Sequence, residues 1–397
     1  MFSFLRFAFW LFLSAAFAAL PAHAQTPVTV TSPHAVLLDL TTRTVLYERR
    51  ANETIQPGNL AKLMTAALVF QDLKANQTTL DTTFQVSLHA WRTGGAPSTG
   101  SKMFAALRSN IRIEDLVTGL VVLNGNDAAI VLAEGTSGSE AEFVKRMNAR
   151  AKELGLTSAV FRNPTGREDD TQKISPRDLA FLSAHIIREY PQYYKYFAIQ
   201  EFTWSKIKQG NRNPLLPLSL GADGMMIGQV KDGGYSLVGS AEQNGERLVV
   251  VVAGSRSERE RIDDARRLLD WGFKSFEPKR IFSGNRVVAN VRVFGGEKGS
   301  VAVVSRTDVN LRSQRGATER LNVRVVYEGP LQAPIRRGAE VAKVRVFRAQ
   351  QLVLEAPLYA AEDVGIGSTW SRAWDGAYEL TAALVRGAFG KLFSRRS

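Results

Sequence analysis

The hydrophobic rhythm of this 397-residue chain changes near Pro278, and one layer arrangement cannot satisfy the parts on either side. Up to that point apolar residues recur mostly at helical spacing. Beyond it they alternate in short runs: Val287-Val288-Ala289-Asn290-Val291-Arg292-Val293, then residues 300–304, 321–327, 341–347 and 352–354, punctuated by Gly and Pro. The second pattern predicts a small all-β domain over residues 278–360. The length exceeds one typical compact core, which agrees with two folded domains.

Within the first part, residues 35–39 and 45–48 are β-prone runs around Thr41-Thr42-Arg43 and read as a hairpin. Leu60, Leu63, Met64, Ala67 and Leu68 predict a well-buried helix over residues 60–73. A second apolar helical pattern, residues 113–132, is interrupted by Asn124-Gly125-Asn126-Asp127. Asn59 suits an N-cap and Asn124-Gly125 suits a turn. Residues 140–154 predict an amphipathic helix stopped by Gly155, and residues 179–189 one closed by Pro191. Strands are expected near Met225, over 235–240 and over 247–253, the last two joined by the turn Gln243-Asn244-Gly245-Glu246. A helix over 258–273 follows. These elements predict a mixed sheet with helices on its faces, an α+β domain over residues 25–277.

The first 24 residues do not belong to that domain. Arg6, an apolar run over residues 7–20 and Ala22-His23-Ala24 form a signal-peptide pattern with cleavage after Ala24. Export to the periplasm is therefore expected. The chain has no cysteine, which excludes disulfides and thiol chemistry. His34, His89 and His185 show no metal-ligand spacing, so no metal and no cofactor is expected. The formal charge of +13 becomes +12 when Arg6 leaves, which favours anionic surfaces; with an export signal and no recognition motif, nucleic acid is not expected as a partner. Residues 361–397 form a tail in which Trp370, Trp374, Tyr378, Leu384, Val385, Ala388 and Leu392 mix with Arg372, Arg386, Lys391, Arg395 and Arg396. That mixture predicts an amphipathic helix lying on the inner-membrane surface through residues 368–397.

Several stretches resemble one family in order along the chain. Ile55-Gln56-Pro57-Gly58-Asn59-Leu60-Ala61-Lys62-Leu63-Met64-Thr65 is followed by Gly125-Asn126-Asp127-Ala128-Ala129 and by Phe161-Arg162-Asn163-Pro164-Thr165-Gly166. Asp223-Gly224-Met225-Met226-Ile227-Gly228, Gly234-Tyr235-Ser236-Leu237-Val238 and Leu268-Leu269-Asp270-Trp271-Gly272-Phe273 complete the series. The chain is similar to the low-molecular-mass penicillin-binding D-alanyl-D-alanine carboxypeptidases. The resemblance implies a penicillin-binding/β-lactamase-like transpeptidase domain, a small all-β domain and a membrane-seeking tail. It also implies peptidoglycan stem peptides as ligands and a site built from Ser-x-x-Lys, Ser-x-Asn and Lys-Thr-Gly. In such a site the serine attacks the carbonyl, the lysine takes its proton, and backbone N–H groups hold the oxyanion.

This chain departs from that pattern at four positions. The nucleophile position is Asn59 and the second serine position is Asn124; the strand motif carries Met226 and Ile227 in place of its cation and hydroxyl. Lys62, Asn126 and Gly228 keep the pattern. Loss of a serine nucleophile alone costs on the order of 10⁶ in kcat in a serine protease. Ser98 and Ser101 have no base beside them in the sequence pattern and are not expected to replace it. Met226 and Ile227 are expected to fill the old cleft. The expectation is a catalytically inactive family member that acts by binding or regulation, with an envelope protein as a further candidate partner. The alternative is an active serine-type carboxypeptidase trimming stem peptides.

Overall fold

The computed structural model describes residues 28–316, 320–348 and 350–368. The leader expected over residues 1–24 and the tail with Trp370 and Trp374 lie outside the described residues.

The first part opens with the hairpin β1 (His34–Asp39) and β2 (Thr44–Arg49), then a 3₁₀ turn (Gly58–Ala61) that runs into α1 (Lys62–Lys74). Next come β3 (Thr83–Gln85), α2 (Leu88–Gly94), β4 (Asn110–Arg112), α3 (Ile113–Leu123), α4 (Asn126–Ser137), α5 (Glu140–Glu153), α6 (Pro176–Glu189) and α7 (Pro191–Tyr194). The hairpin β5 (Glu201–Trp204) and β6 (Ile207–Gly210) precedes β7 (Ala222–Val230), β8 (Gly234–Gln243), β9 (Glu246–Ser255) and α8 (Glu258–Ser275).

The main sheet has the order β2-β1-β9-β8-β7. Every pairing in it is antiparallel, which corrects the expected mixed sheet. The reason is local: β7, β8 and β9 are joined by tight turns, and such connections permit only antiparallel neighbours. Alternation along the central strand divides the core. Val249 and Val251 face one cluster with α1, α3 and α4, while Leu248, Val250 and Val252 face another with Leu268 and Leu269 of α8. A buried Val or Leu contributes about 1.5–3 kcal/mol, so both faces are committed and the register is strongly specified.

α1 is apolar almost all round and buries eleven of its thirteen residues, as expected for a core helix. α6 begins three residues before the expected start of 179, because Ser175 Oγ accepts from Asp178 N and Pro176 occupies the first turn.

The β-rich part begins with β10 (Phe276–Phe282) and continues through β11 (Val287–Phe294), β12 (Ser300–Val304), β13 (Val309–Gln314), β14 (Leu321–Val326), β15 (Leu331–Gln332), β16 (Glu340–Arg348) and β17 (Gln351–Ala360). Six strands form one sheet in the order β14-β16-β17-β12-β11-β15, and β10 pairs with β13. Together with the first part this gives an α+β fold followed by all-β structure. Strands β10 and β13 were not legible in the sequence: Glu277, Lys279 and Arg280 obscure the alternation, and Pro278 sits inside a strand that has only one partner.

Arg312 of β13 reaches out of the β-rich part and is 1% exposed. Its Nε lies 3.4 Å from Asp39 Oδ2, its Nη1 pairs with Glu246, and its Nη2 donates to Gly272 O at 3.1 Å. One guanidinium thus ties together the end of β1, the start of β9 and the last turn of α8.

Candidate functional site

Three elements converge where the sequence predicts the site. The 3₁₀ turn carries Asn59, the α3–α4 junction carries Asn124 and Asn126, and edge strand β7 carries Met226, Ile227 and Gly228. Close backbone packing holds them together. A Cβ at Gly228 would lie 2.8 Å from Pro57 O, so the strand passes directly against the turn. At Gly166, with φ +77°, a Cβ would lie 1.8 Å from Gly58 O. No L side chain fits there.

Asn59 is not a helix cap, contrary to the expectation: neither the turn nor α1 has a side-chain cap. Its Oδ1 instead accepts from Lys62 Nζ at 2.7 Å. Spacing explains this, since residues three apart share a helix face. Lys62 is fully buried and also donates to Thr165 O at 2.6 Å. Burial pulls its pKa down to about 7, and the Asp127 charge opposes that shift. Asp127 is buried at the start of α4, where its carboxylate accepts from Met103 N, Ala105 N and Ala128 N. Burial raises its pKa against the pull of those bonds.

Asn124 caps α3 in the left-handed conformation, φ 56°, so the turn expectation fits. Its Nδ2 donates to Ile227 O at 3.3 Å, which joins the helical wall to the strand wall. Asn124 Oδ1 and Asn126 Oδ1 are buried acceptors with no partner among the described residues. Met226 is 1% exposed and packs in the first core, while Ile227 is partly buried against the second. Ser98 Oγ donates to Gly95 O at 2.8 Å, and Lys102 Nζ donates to the Ser98 carbonyl rather than pairing with its hydroxyl.

Three contributors were missed in the sequence. Thr165 and Asp127 sit within the quoted motifs, but only folding shows what they do to Lys62. Arg261 of α8 lies far from any motif. It is buried, its Nη1 lies 3.5 Å from Gly228 O and 3.4 Å from Ser236 O, and burial holds its pKa below the usual range against the pull of the Glu258 charge. It therefore sets a cation beneath the strand that has lost its lysine. An arginine at i+3 after Glu258 on an amphipathic helix gives no sequence signal of that role.

Residues 21–257 match the family model described as D-alanyl-D-alanine carboxypeptidase, and residues 276–365 match the penicillin-binding protein 5 C-terminal domain. The chain belongs to the D-alanyl-D-alanine carboxypeptidase family. It is 34% identical over 343 residues to the D-alanyl-D-alanine carboxypeptidase DacC of Escherichia coli, covering 86% of each chain. It is 33% identical over 353 residues to DacA of Haemophilus influenzae, covering 88% of this chain and 89% of the relative. The solved penicillin-binding protein 5 of Haemophilus influenzae superposes with a TM-score of 0.76 at 33% identity, over 86% of this chain and 99% of that one. In this carboxypeptidase-family chain, then, the scaffold is retained while four motif side chains differ from the pattern.

The buried lysine has a measurable signature. Its charged form is disfavoured in the folded state, so between pH 7 and about 10.5 the unfolded chain holds more protons than the folded one. Stability contributed by this residue should therefore rise with pH across that window. Relative to Lys62→Met, wild type should gain up to about 5 kcal/mol between pH 6.5 and 10.5. Paired denaturant titrations of the two proteins check this; a constant difference would exclude the shifted lysine.

Proposed function

We propose that this chain is a non-catalytic carboxypeptidase-family protein of peptidoglycan metabolism that acts by binding. Its ligand is a stem peptide, held weakly, or its partner is an active relative or another envelope protein. The supporting observation is the Lys62 Nζ to Asn59 Oδ1 bond at 2.7 Å. The proton acceptor is in position, but the group it faces is a carboxamide, which has no hydroxyl to surrender and forms no acyl-ester.

In this reading residues 1–24 are removed on export, residues 25–277 carry the groove, residues 278–360 form the β-domain, and residues 361–397 hold the protein to the inner membrane from the periplasmic side. Fluorescent penicillin is the direct test. The native chain is expected to stay unlabelled, with no mass increase on the intact protein. A stable β-lactam adduct would defeat the proposal.

One observation favours the alternative of an active carboxypeptidase. With a pKa near 7, a fraction of Lys62 is neutral at neutral pH and able to take a proton from bound water. Release of D-alanine from a model peptide, abolished in Lys62→Ala, would establish that reading. No release at high enzyme concentration excludes it.

A further inference from the structure

The opposite end of the sheet from Asn59 carries an unbalanced cationic cavity. Strand register sets the distance between the two places: Gly228 pairs with Ser236 at one end, whereas Asp39, Leu248, Ala241 and Ala222 line up across the other. At that second end the β1–β2 turn presents Arg43, which lines three cavities of about 490, 300 and 170 Å³.

The 300 Å³ cavity has an apolar floor that includes Leu40, Leu154, Leu156 and Phe181, and a rim of Arg43, His185 and Arg188. Such a volume sits at the lower end of ligand-sized sites, ~300–1,000 Å³. Phe181 is 41% exposed, a large ring left at the surface in a cavity that Arg43 and Arg188 also line. Neither Arg43 nor Arg188 has a carboxylate partner among the described residues. Glu189, whose charge reaches Arg188, is itself paired with Lys74 at 3.2 Å. Burial, and after it the neighbouring Arg43 charge, holds Arg188 below its usual range.

The remaining polar groups do not cancel that charge. His185 accepts from Arg150 Nη2 at 3.2 Å through Nε2, which leaves the ring neutral. Asp39 also lines the cavity, but it is buried, and its carboxylate is turned to Thr42 and Arg312. Basic residues in the last turn of α6 would be explained by the helix dipole alone. Arg43 is not: it comes from another element and holds φ 57°, a conformation that disfavours any side chain other than Asn or Asp. A turn needing only that backbone would be better served by Gly.

We propose that this cavity binds a carboxylate carried on a short apolar chain. The carboxylate lies between Arg43 and Arg188, and the chain rests on the leucines and Phe181. Guanidinium groups suit the charged end because their planar forks match a carboxylate, and an apolar wall strengthens the attraction.

Calorimetry on the whole chain with octanoate, octanol and inorganic phosphate separates the two halves of the idea. Octanoate is expected to bind saturably and more tightly than either of the others. Arg43→Gln with Arg188→Gln should weaken it about tenfold or more. In the unaltered protein, octanoate should shift the amide resonances of Phe181, Ala184 and the β1–β2 turn. The proposal is overturned if octanoate does not saturate, if the double variant binds as tightly, if phosphate alone binds as well, or if the shifted resonances lie elsewhere.

Discussion

Changing Asn59 to Ser together with Asn124→Ser, Met226→Lys and Ile227→Thr is expected to give a chain that penicillin labels, where the unaltered chain is expected to stay unlabelled. The proton acceptor needs no rebuilding: Lys62 Nζ already reaches the position-59 side chain at 2.7 Å and is steadied by Thr165 O. The surrounding backbone is equally in place, with Gly228 against Pro57 O and Gly166 against Gly58 O. Because a missing serine nucleophile costs on the order of 10⁶ in kcat, even a poorly tuned restoration should raise acylation by about 10³-fold or more. The main cost falls at position 226, where Met is 1% exposed and a lysine must find partners in the core. Denaturation curves on Met226→Lys alone will show that cost, and acylation rates on the combined variant will show the gain. A folded quadruple variant that stays unlabelled would mean that the site backbone has drifted as well.

The second large effect is expected at Arg312→Ala. Removing this buried guanidinium leaves Asp39, itself buried, and Glu246 facing each other without a cation. Burial already raises the pKa of Asp39, so its charge is poorly tolerated even with Arg312 present. Breaking a buried pair from one side costs about 3–5 kcal/mol. Calorimetric unfolding should lose that much, and hydrogen exchange should accelerate first at β1, β10 and β13, where the two parts of the chain meet. Arg312→Ala combined with Asp39→Asn should recover part of the loss. If the single variant melts like wild type, Arg312 does not fasten the two parts.

Much of the fold was legible because long elements obey one period. The helix at residues 60–73, the β1–β2 hairpin and the strand–turn–strand at Asn244-Gly245 follow directly from apolar spacing and turn chemistry. Elements of three or four residues, such as β3 and β4, are too short to show a period. The direction of β1 against β9 depends on a contact more than 200 residues apart in sequence, which no local pattern encodes. At the site, the identity of the altered positions could be read from motif order. The role of Asn59 could not, because choosing between a cap and a partner for Lys62 requires the 3₁₀ geometry of residues 58–61. Arg261 was hidden for a similar reason: its meaning comes from the strand it lies under, not from its own neighbours in sequence.

The bond from Asn124 to Ile227 O fastens the helical wall to the strand wall. A guest that parts the two sides forfeits it, about 1 kcal/mol or roughly fivefold in affinity, and leaves a buried amide donor without an acceptor. Only a visitor bringing a hydrogen-bond acceptor of its own makes good that loss. Hydrocarbon is turned away at the threshold, while a polypeptide backbone carries the toll in every residue.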